Sequence, residues 1–190
     1  MGVIGTVGLP GSGKGEAATV AREMAIPVVT MGDVIREECR RRGLDPADHH
    51  GEIARRLREE EGPLAIAERS LPHVEEALEG SDTVLVDGLR SDAEAERFEE
   101  RFGEAFTLVA VTAPFDLRAE RVGARARDNT DHDGESLAAR DERELGFGMG
   151  AAIERADVTI ENDGSLESFR ARVRELLEEE GGKERGGCDR

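Results

Sequence analysis

The sequence predicts an α/β fold of three layers, a five-stranded parallel sheet with helices on both faces. Three observations predict it. Short apolar runs alternate with polar, helix-forming stretches, the pattern of a parallel sheet joined by crossover helices. The run Thr83-Val84-Leu85-Val86 is apolar along its length rather than on alternate residues, as in a strand covered on both sides. The first apolar run, residues 3–7, leads directly into a glycine-rich octet that opens a helix.

Each element follows from local chemistry. After the strand at 3–7 and the octet Gly8-Leu9-Pro10-Gly11-Ser12-Gly13-Lys14-Gly15, residues 16–24 form the first helix. Residues 27–29 make a short strand, Gly32 a turn, and residues 33–42 a helix that Gly43 ends. Residues 46–61 read as a polar helix, and Pro63 opens another to about residue 78. Together 46–79 form a helical insertion with no strand of its own.

The strand at 83–87 ends in a carboxylate, and a helix over 91–102 and a strand over 106–111 follow. From Pro114 comes a helix rich in arginine: Arg118, Arg121, Arg125 and Arg127. A polar loop at 128–134, a helix at 135–145, a glycine-rich joint at 146–150, a strand at 158–160 and a helix at 166–177 complete the pattern. Residues 1–178 are expected to form one domain, with 118–145 as a lid region and 179–190 as a disordered acidic tail. At 190 residues, one domain burying roughly 70% of its unfolded surface fits the length.

Charge narrows the partners. With 43 acidic against 26 basic residues the formal charge is -17, which disfavours nucleic acid and requires any bound anion to be held by a local positive cluster. Lys14 and Lys183 are the only lysines; the other cations are arginines. An acid-rich, lysine-poor surface suits a cytoplasm of very high salt, where self-repulsion is screened. No apolar run reaches membrane-spanning length and no leader precedes the first strand, so a cytoplasmic monomer or homodimer is expected. Cys39 and Cys188 suggest neither a disulfide framework nor a zinc site, and the absence of Trp and Tyr removes stacking platforms for RNA.

The octet is where the chemistry starts. Its glycines let backbone N–H groups turn toward a polyphosphate at a helix N-terminus, and Lys14 sets a cation on the outer phosphates. A chance glycine-rich turn is the bland alternative, but fixed spacing, lysine and the strand-then-helix setting all argue for phosphate. The Ser or Thr that commonly follows the lysine and holds magnesium is absent; Gly15 and Glu16 stand there. Glu16 either points away as a helix N-terminal acid or joins a metal shell, and the first is expected.

In such a sheet, ligands lie beyond the carboxyl ends of the strands. Asp87 there has the form of a magnesium-holding acid, against the alternative of an ordinary Asp-Gly turn. Arg36 and Arg90 sit just past strand ends, where a guanidinium could clamp an acceptor phosphate or lie solvated. Arg121, Arg125 and Arg127 are expected to close over the transferring phosphate, whereas Arg118 reads as a surface partner of Glu120. His49-His50 and Asp131-His132-Asp133 read as solvated loop segments.

Gly8–Gly15, Thr30-Met31-Gly32-Asp33-Val34-Ile35-Arg36 and Asp87-Gly88-Leu89-Arg90 resemble the adenylate and nucleoside monophosphate kinases. Arg140-Asp141, Ala156-Asp157-Val158-Thr159-Ile160-Glu161-Asn162 and Gly164-Ser165-Leu166-Glu167 are more similar to dephospho-coenzyme A kinases. The combination, over residues 1 to about 178, most resembles an archaeal family of uncharacterised P-loop ATP-binding proteins related to both. The resemblance implies a P-loop nucleotide kinase-like fold and transfer of the γ-phosphate of ATP, with Mg2+, to a nucleoside monophosphate or dephospho-coenzyme A. It implies donor phosphates on Gly8–Gly15 with Lys14, the acceptor held by Asp33, Arg36 and Arg90, and residues 46–79 as an acceptor arm. Here the second arginine segment is one residue shorter and lacks the proline before its arginine. A nucleotide-dependent switch without a small acceptor is the alternative.

Overall fold

The computed structural model describes residues 1–128 and 136–182, the side chains of 125–128 falling outside that description. Five parallel strands, β1 (Gly2–Val7), β2 (Val28–Thr30), β3 (Thr83–Asp87), β4 (Phe106–Thr112) and β5 (Val158–Glu161), form one sheet in the order β2-β3-β1-β4-β5. The register pairs Thr6 with Asp87 across β1 and β3, and Thr6 with Val109 across β1 and β4.

Each central strand is buried on both faces because its alternate residues enter different cores. Val3, Val7, Val84, Val86, Leu108 and Ala110 pack on one side with α2 (Met31–Arg41), α3 (Pro46–Glu61), α4 (Ala65–Glu79), α5 (Asp92–Phe102) and α8 (Met149–Glu154). Ile4, Leu85, Val109, Val111 and Ile160 pack on the other with α1 (Lys14–Glu23) and α9 (Leu166–Gly182). The two remaining helices, α6 (Phe115–Asp128) and α7 (Leu137–Gly146), lie over the end where the functional loops emerge.

This topology positions the site. The chain leaving β1 turns into α1 on one face, while that leaving β3 turns into α5 on the other. The connections diverge between two neighbouring strands, and the crevice so opened is where open α/β sheets bind ligands. Residues 8, 10–15 and 87–90 line it.

The structure departs from the sequence reading in four places. Gly32 is the second residue of α2 rather than a turn before it, because Thr30 already has the extended conformation that starts the helix. Asp128 is the last residue of α6, and the rest of the predicted polar loop, Asp131-His132-Asp133 included, lies outside the described residues. His49 and His50 lie on α3, whose start is set by Asp45 accepting a hydrogen bond from Ala47 N–H at 2.9 Å with Pro46 following. The last helix runs through Gly182, so residues 179–182 are helical rather than tail. Leu176 and Leu177 pack on the sheet, and buried Glu180 accepts a hydrogen bond from Thr107 Oγ1 at 2.7 Å. Residues 183–190 lie outside the described residues.

One polar network holds α2 and α4 together. The Glu38 side chain on α2, 1% exposed, accepts from Arg41 (2.7 and 2.6 Å), Arg42 (2.6 Å) and, on α4, Arg69 (3.1 Å). The Arg41 hydrogen bonds above all, then those of Arg42 and Arg69, hold its carboxyl far below the usual 4.5. Its stabilising contribution is therefore complete above that usual value and is lost as pH falls below it toward the depressed native value. Glu38→Gln is expected to lower the melting temperature at pH 7 and to reduce the loss of stability on acidification, as melting curves at pH 7 and pH 3 will read.

Candidate functional site

The loop between β1 and α1 is shaped by contacts from behind it. Gly13 has φ 119°, and a Cβ there would lie 2.3 Å from Asn162 Nδ2, so both backbone and space demand glycine. Asn162, just past β5, donates from Nδ2 to the Ser12 carbonyl at 2.8 Å, and its own N–H is held by Thr112 O at 2.7 Å. Arg118, only 5% exposed, donates to Pro10 O at 3.1 Å and grips Asp141 of α7 with two nitrogens at 2.8 and 2.7 Å. Two elements distant in sequence thus pin the loop, and one belongs to the predicted lid region.

In front of the loop is a cleft of about 240 Å³ lined by residues 8 and 10–15, Asp87, Arg90, Arg140, Glu144 and Met149, among others. Lys14 folds back along it. Its Nζ donates to Gly8 O and, at 3.3 Å, to Leu9 O. Burial pushes its ammonium down to about 8, opposed by the carboxylates of Asp87 and Glu144. Asp87 accepts from Thr6 Oγ1 at 3.2 Å, which fixes its carboxylate at the end of β3. Ser12 lines the same cleft with its Oγ buried and without a protein partner. A desolvated ammonium, the N-terminus of α1 and a strand-end carboxylate suit a polyphosphate with a divalent cation.

A second cleft of about 240 Å³ joins the first at Asp87, Gly88 and Arg90. Its other walls include Thr30, Met31, Gly32 and Arg36 of the β2–α2 segment, His50 and Arg58 of α3, Ile66 of α4 and Glu94 of α5. Buried Glu94 accepts the Arg90 backbone N–H at 2.8 Å, so it sets the path of the segment after β3. Burial pushes the Glu94 carboxyl up, the Arg58 guanidinium down and the His50 imidazole down.

The sequence-predicted residues separate into those that line these clefts and those that do not. Lys14, the glycine loop, Asp87, Arg90 and Arg36 line them. Asp33 does not; its carboxylate accepts from Arg36 at 2.9 and 2.6 Å and so orients that guanidinium. Arg121 stands behind the loop, donating to Asn162 O and Oδ1 at 3.0 and 3.2 Å, because its turn of α6 faces the segment after β5. Among the described residues of the region 118–145, Arg140 and Glu144 of α7 line the first cleft. The side chains of Arg125 and Arg127 lie outside the described residues.

Arg118 corrects its own reading: its partner is Asp141, 23 residues away, rather than Glu120. Glu16 turns from Asp87 toward α9, where Arg170 donates to it at 2.5 Å, the helix-terminal reading of that residue. Sequence reasoning missed Arg58, Glu144, Met149 and the role of Asn162, and it read His50 as solvated. Only for Asn162 did a signal exist, its place in a polar turn directly after a strand.

A family model described as an AAA domain matches residues 7–138. Over 177 residues the chain is 60% identical to a UPF0200 protein of Halobacterium salinarum, covering 93% of each chain. It is 48% identical over 178 residues to a UPF0200 protein of Methanosarcina barkeri, covering 93% of this chain and 95% of that one. Among solved structures, TT1252 from Thermus thermophilus matches with a TM-score of 0.63 at 22% identity, over 94% of this chain and 97% of that one. A shikimate kinase from Bacteroides thetaiotaomicron matches at 0.60 and 19% identity (93% and 98% covered), and a dephospho-CoA kinase from Campylobacter jejuni at 0.60 and 15% (95% and 98%). At these identities the likeness is one of fold, a kinase-like P-loop fold.

Proposed function

Because the chain belongs to the UPF0200 family and carries an AAA-type P-loop domain, we propose that it is a magnesium-dependent phosphotransferase moving the γ-phosphate of ATP to a small nucleotide-like acceptor. The observation that carries this reading is the meeting of the two clefts at Asp87 and Arg90. A cleft built for polyphosphate opens onto a second one walled by arginines, the arrangement in-line transfer requires. The fold shared with a shikimate kinase and a dephospho-CoA kinase supports it.

The roles follow from position. The loop N–H groups and Lys14 hold the donor phosphates, and Arg140 approaches from α7. Arg36, aimed by Asp33, and Arg90, aimed by Glu94, hold the acceptor. Asp87 would hold magnesium, with Ser12 Oγ as a further oxygen donor; magnesium normally keeps several waters and needs only one or two protein oxygens. When bound it neutralises charge across the donor phosphates. Movement of α7 over the cleft would exclude water, with Arg125 and Arg127 of the adjoining segment as further lid cations.

The test is to mix the protein with ATP, magnesium and a panel of nucleoside monophosphates and dephospho-coenzyme A, following ADP and phosphorylated acceptor. Acceptor-dependent ADP release is expected. Phosphate release at one rate whatever the acceptor would replace this reading with that of a nucleotide-hydrolysing switch.

We further propose a cytoplasmic protein of a salt-rich cell, supported by the charge of -17 and by the Halobacterium salinarum relative. Among the described residues no helix is long and apolar enough to cross a membrane. The melting temperature is expected to rise steadily as potassium chloride is raised from about 0.1 M to about 2 M, since screening removes self-repulsion; a flat dependence contradicts the salt adaptation.

A further inference from the structure

The acceptor-side cleft holds an electrostatic imbalance that its own residues do not resolve. Three guanidiniums and an imidazole face it: Arg36 from α2, His50 and Arg58 from α3, and Arg90 from the segment after β3. Two carboxylates face it, Asp87 at the mouth shared with the donor cleft and Glu94 at the base. Outside the cleft Asp33 pairs with Arg36 at 2.6 Å and Glu144 with Arg90 at 3.3 Å, while Asp87 lies toward Lys14 and burial raises the Glu94 carboxyl, so the imbalance centres on Arg58 and His50.

Arg58 is the least compensated of the three. Its side chain is 24% exposed, its nearest carboxylate oxygen lies 4.0 Å away on Glu94, and one nitrogen donates weakly to Ala54 O at 3.4 Å. Arg90 repels it, and Arg90 and Arg36 both repel a proton on His50. In a molecule of charge -17, cations crowded until they repel one another mark a place where a bound anion relieves the strain.

The helix α3 is built to present these groups. His50, Ala54 and Arg58 recur at four-residue spacing along α3; Ala54 packs in the core, and the two longer side chains line the cleft. A Cβ on Gly32 would stand 3.4 Å from His50 Nε2 and 3.3 Å from Arg36 Nη1, so imidazole and guanidinium meet at one bare backbone position. The outer face of Arg58 rests over the Phe147 ring at 5.7 Å, beside the joint that carries α7.

We propose that His50 and Arg58 determine acceptor specificity: with Arg36 and Arg90 they bind a phosphate monoester group, so the acceptor is a phosphorylated small molecule rather than an uncharged alcohol. This rests on the transfer reading for the word acceptor, but the anion site stands or falls by binding alone. Arg58 and His50 contribute charge-assisted hydrogen bonds to the ester oxygens, and neither participates in the donor cleft.

The experiment uses the full chain saturated with magnesium and a non-hydrolysable ATP analogue, titrated calorimetrically with ribose 5-phosphate, AMP and adenosine. The phosphate esters are expected to bind and adenosine to bind at least about tenfold more weakly than AMP. Arg58→Ala should weaken ester binding about 10- to 100-fold, Arg58→Lys should recover part of it, and His50→Ala should weaken it severalfold, with analogue affinity unchanged within about twofold. Melting curves establish that each variant is folded; if Arg58→Ala is not, the comparison of Arg58→Lys and Arg58→Gln takes its place. Equal binding of AMP and adenosine, no ester binding by the unaltered protein, or ester binding indifferent to Arg58 overturns the proposal. Ester binding that needs Arg58 without any phosphoryl transfer would sink the kinase reading and keep the site. Transfer to an uncharged alcohol, unaffected at Arg58, would do the reverse.

Discussion

Lys14→Ala is expected to remove phosphoryl transfer, lowering kcat/KM by about a thousandfold or more, while the protein keeps its fold. The ammonium is the cleft's half-buried cation on the loop itself, and charge fixed at the site of developing negative charge typically contributes a factor of about 10²–10³ or more. Unchanged turnover in a folded Lys14→Ala protein would remove the loop from the mechanism. A pH dependence accompanies the loss. Burial pushes the ammonium down to about 8, so in the protein without nucleotide the charge is lost as pH rises through that value. kcat/KM should fall above about pH 8, whereas kcat should hold to higher pH because bound phosphates favour the protonated form.

The same burial makes Lys14 a cost to the native state. Its native value lies below the ordinary 10.5, so between about 8 and 10.5 the unfolded chain carries the proton that the folded chain has released. Lys14 therefore makes stability rise with pH across that window, and below it the buried charge opposes folding. Lys14→Met, which keeps the volume and removes the charge, is expected to stabilise the protein at pH 7 by about 1–2 kcal/mol after the loss of the Gly8 and Leu9 hydrogen bonds. Chemical denaturation curves read this directly. A protein stabilised and inactivated by one substitution displays strain held at a functional site.

Arg118→Ala is expected to cost about 3–5 kcal/mol of stability, because it leaves Asp141 as a buried carboxylate without its guanidinium. The pair is among the most enclosed in the described structure, with side chains 6% and 13% exposed. Its loss also releases the Pro10 and Ala113 carbonyls that Arg118 holds. The double change Arg118→Leu with Asp141→Leu should recover much of the stability, since two apolar residues leave no orphaned charge. Nucleotide binding should stay weakened in the double variant, because the Pro10 carbonyl of the loop remains unpinned. Full recovery of nucleotide affinity would reduce Arg118 to a structural ion pair.

The loop lining of the first cleft was legible in the sequence because its residues are local. Eight consecutive residues supply glycine torsions, a helix N-terminus and a cation, and their fixed spacing argues against an ordinary turn. Asp87 was legible for the same reason, a carboxylate ending an apolar run. Helix α3 was also plain, since Asp45, Pro46 and Gly62 bracket it.

What the sequence concealed were contacts made across long separations. Arg118 looked like one more arginine in an Arg/Glu-rich helix, and nothing in its neighbourhood points to Asp141. Arg121 carried the same signal yet turned behind the loop, onto Asn162. His50 and Arg58 lie in a polar helix where each would ordinarily be solvated; only the folding of α3 against α2 and α4 directs them into the cleft beside Arg90.

The sequence by itself determined the fold class, the phosphate loop and the strand-end acid, because torsional freedom, hydrophobic run length and helix termini are properties of neighbouring residues. The tertiary structure alone decided the strand order, the crevice between β1 and β3, and which of the described arginines line the two clefts. A guanidinium sits at the end of a long flexible stem, so its role is fixed by whichever carboxylate, carbonyl or open cleft the fold brings within reach.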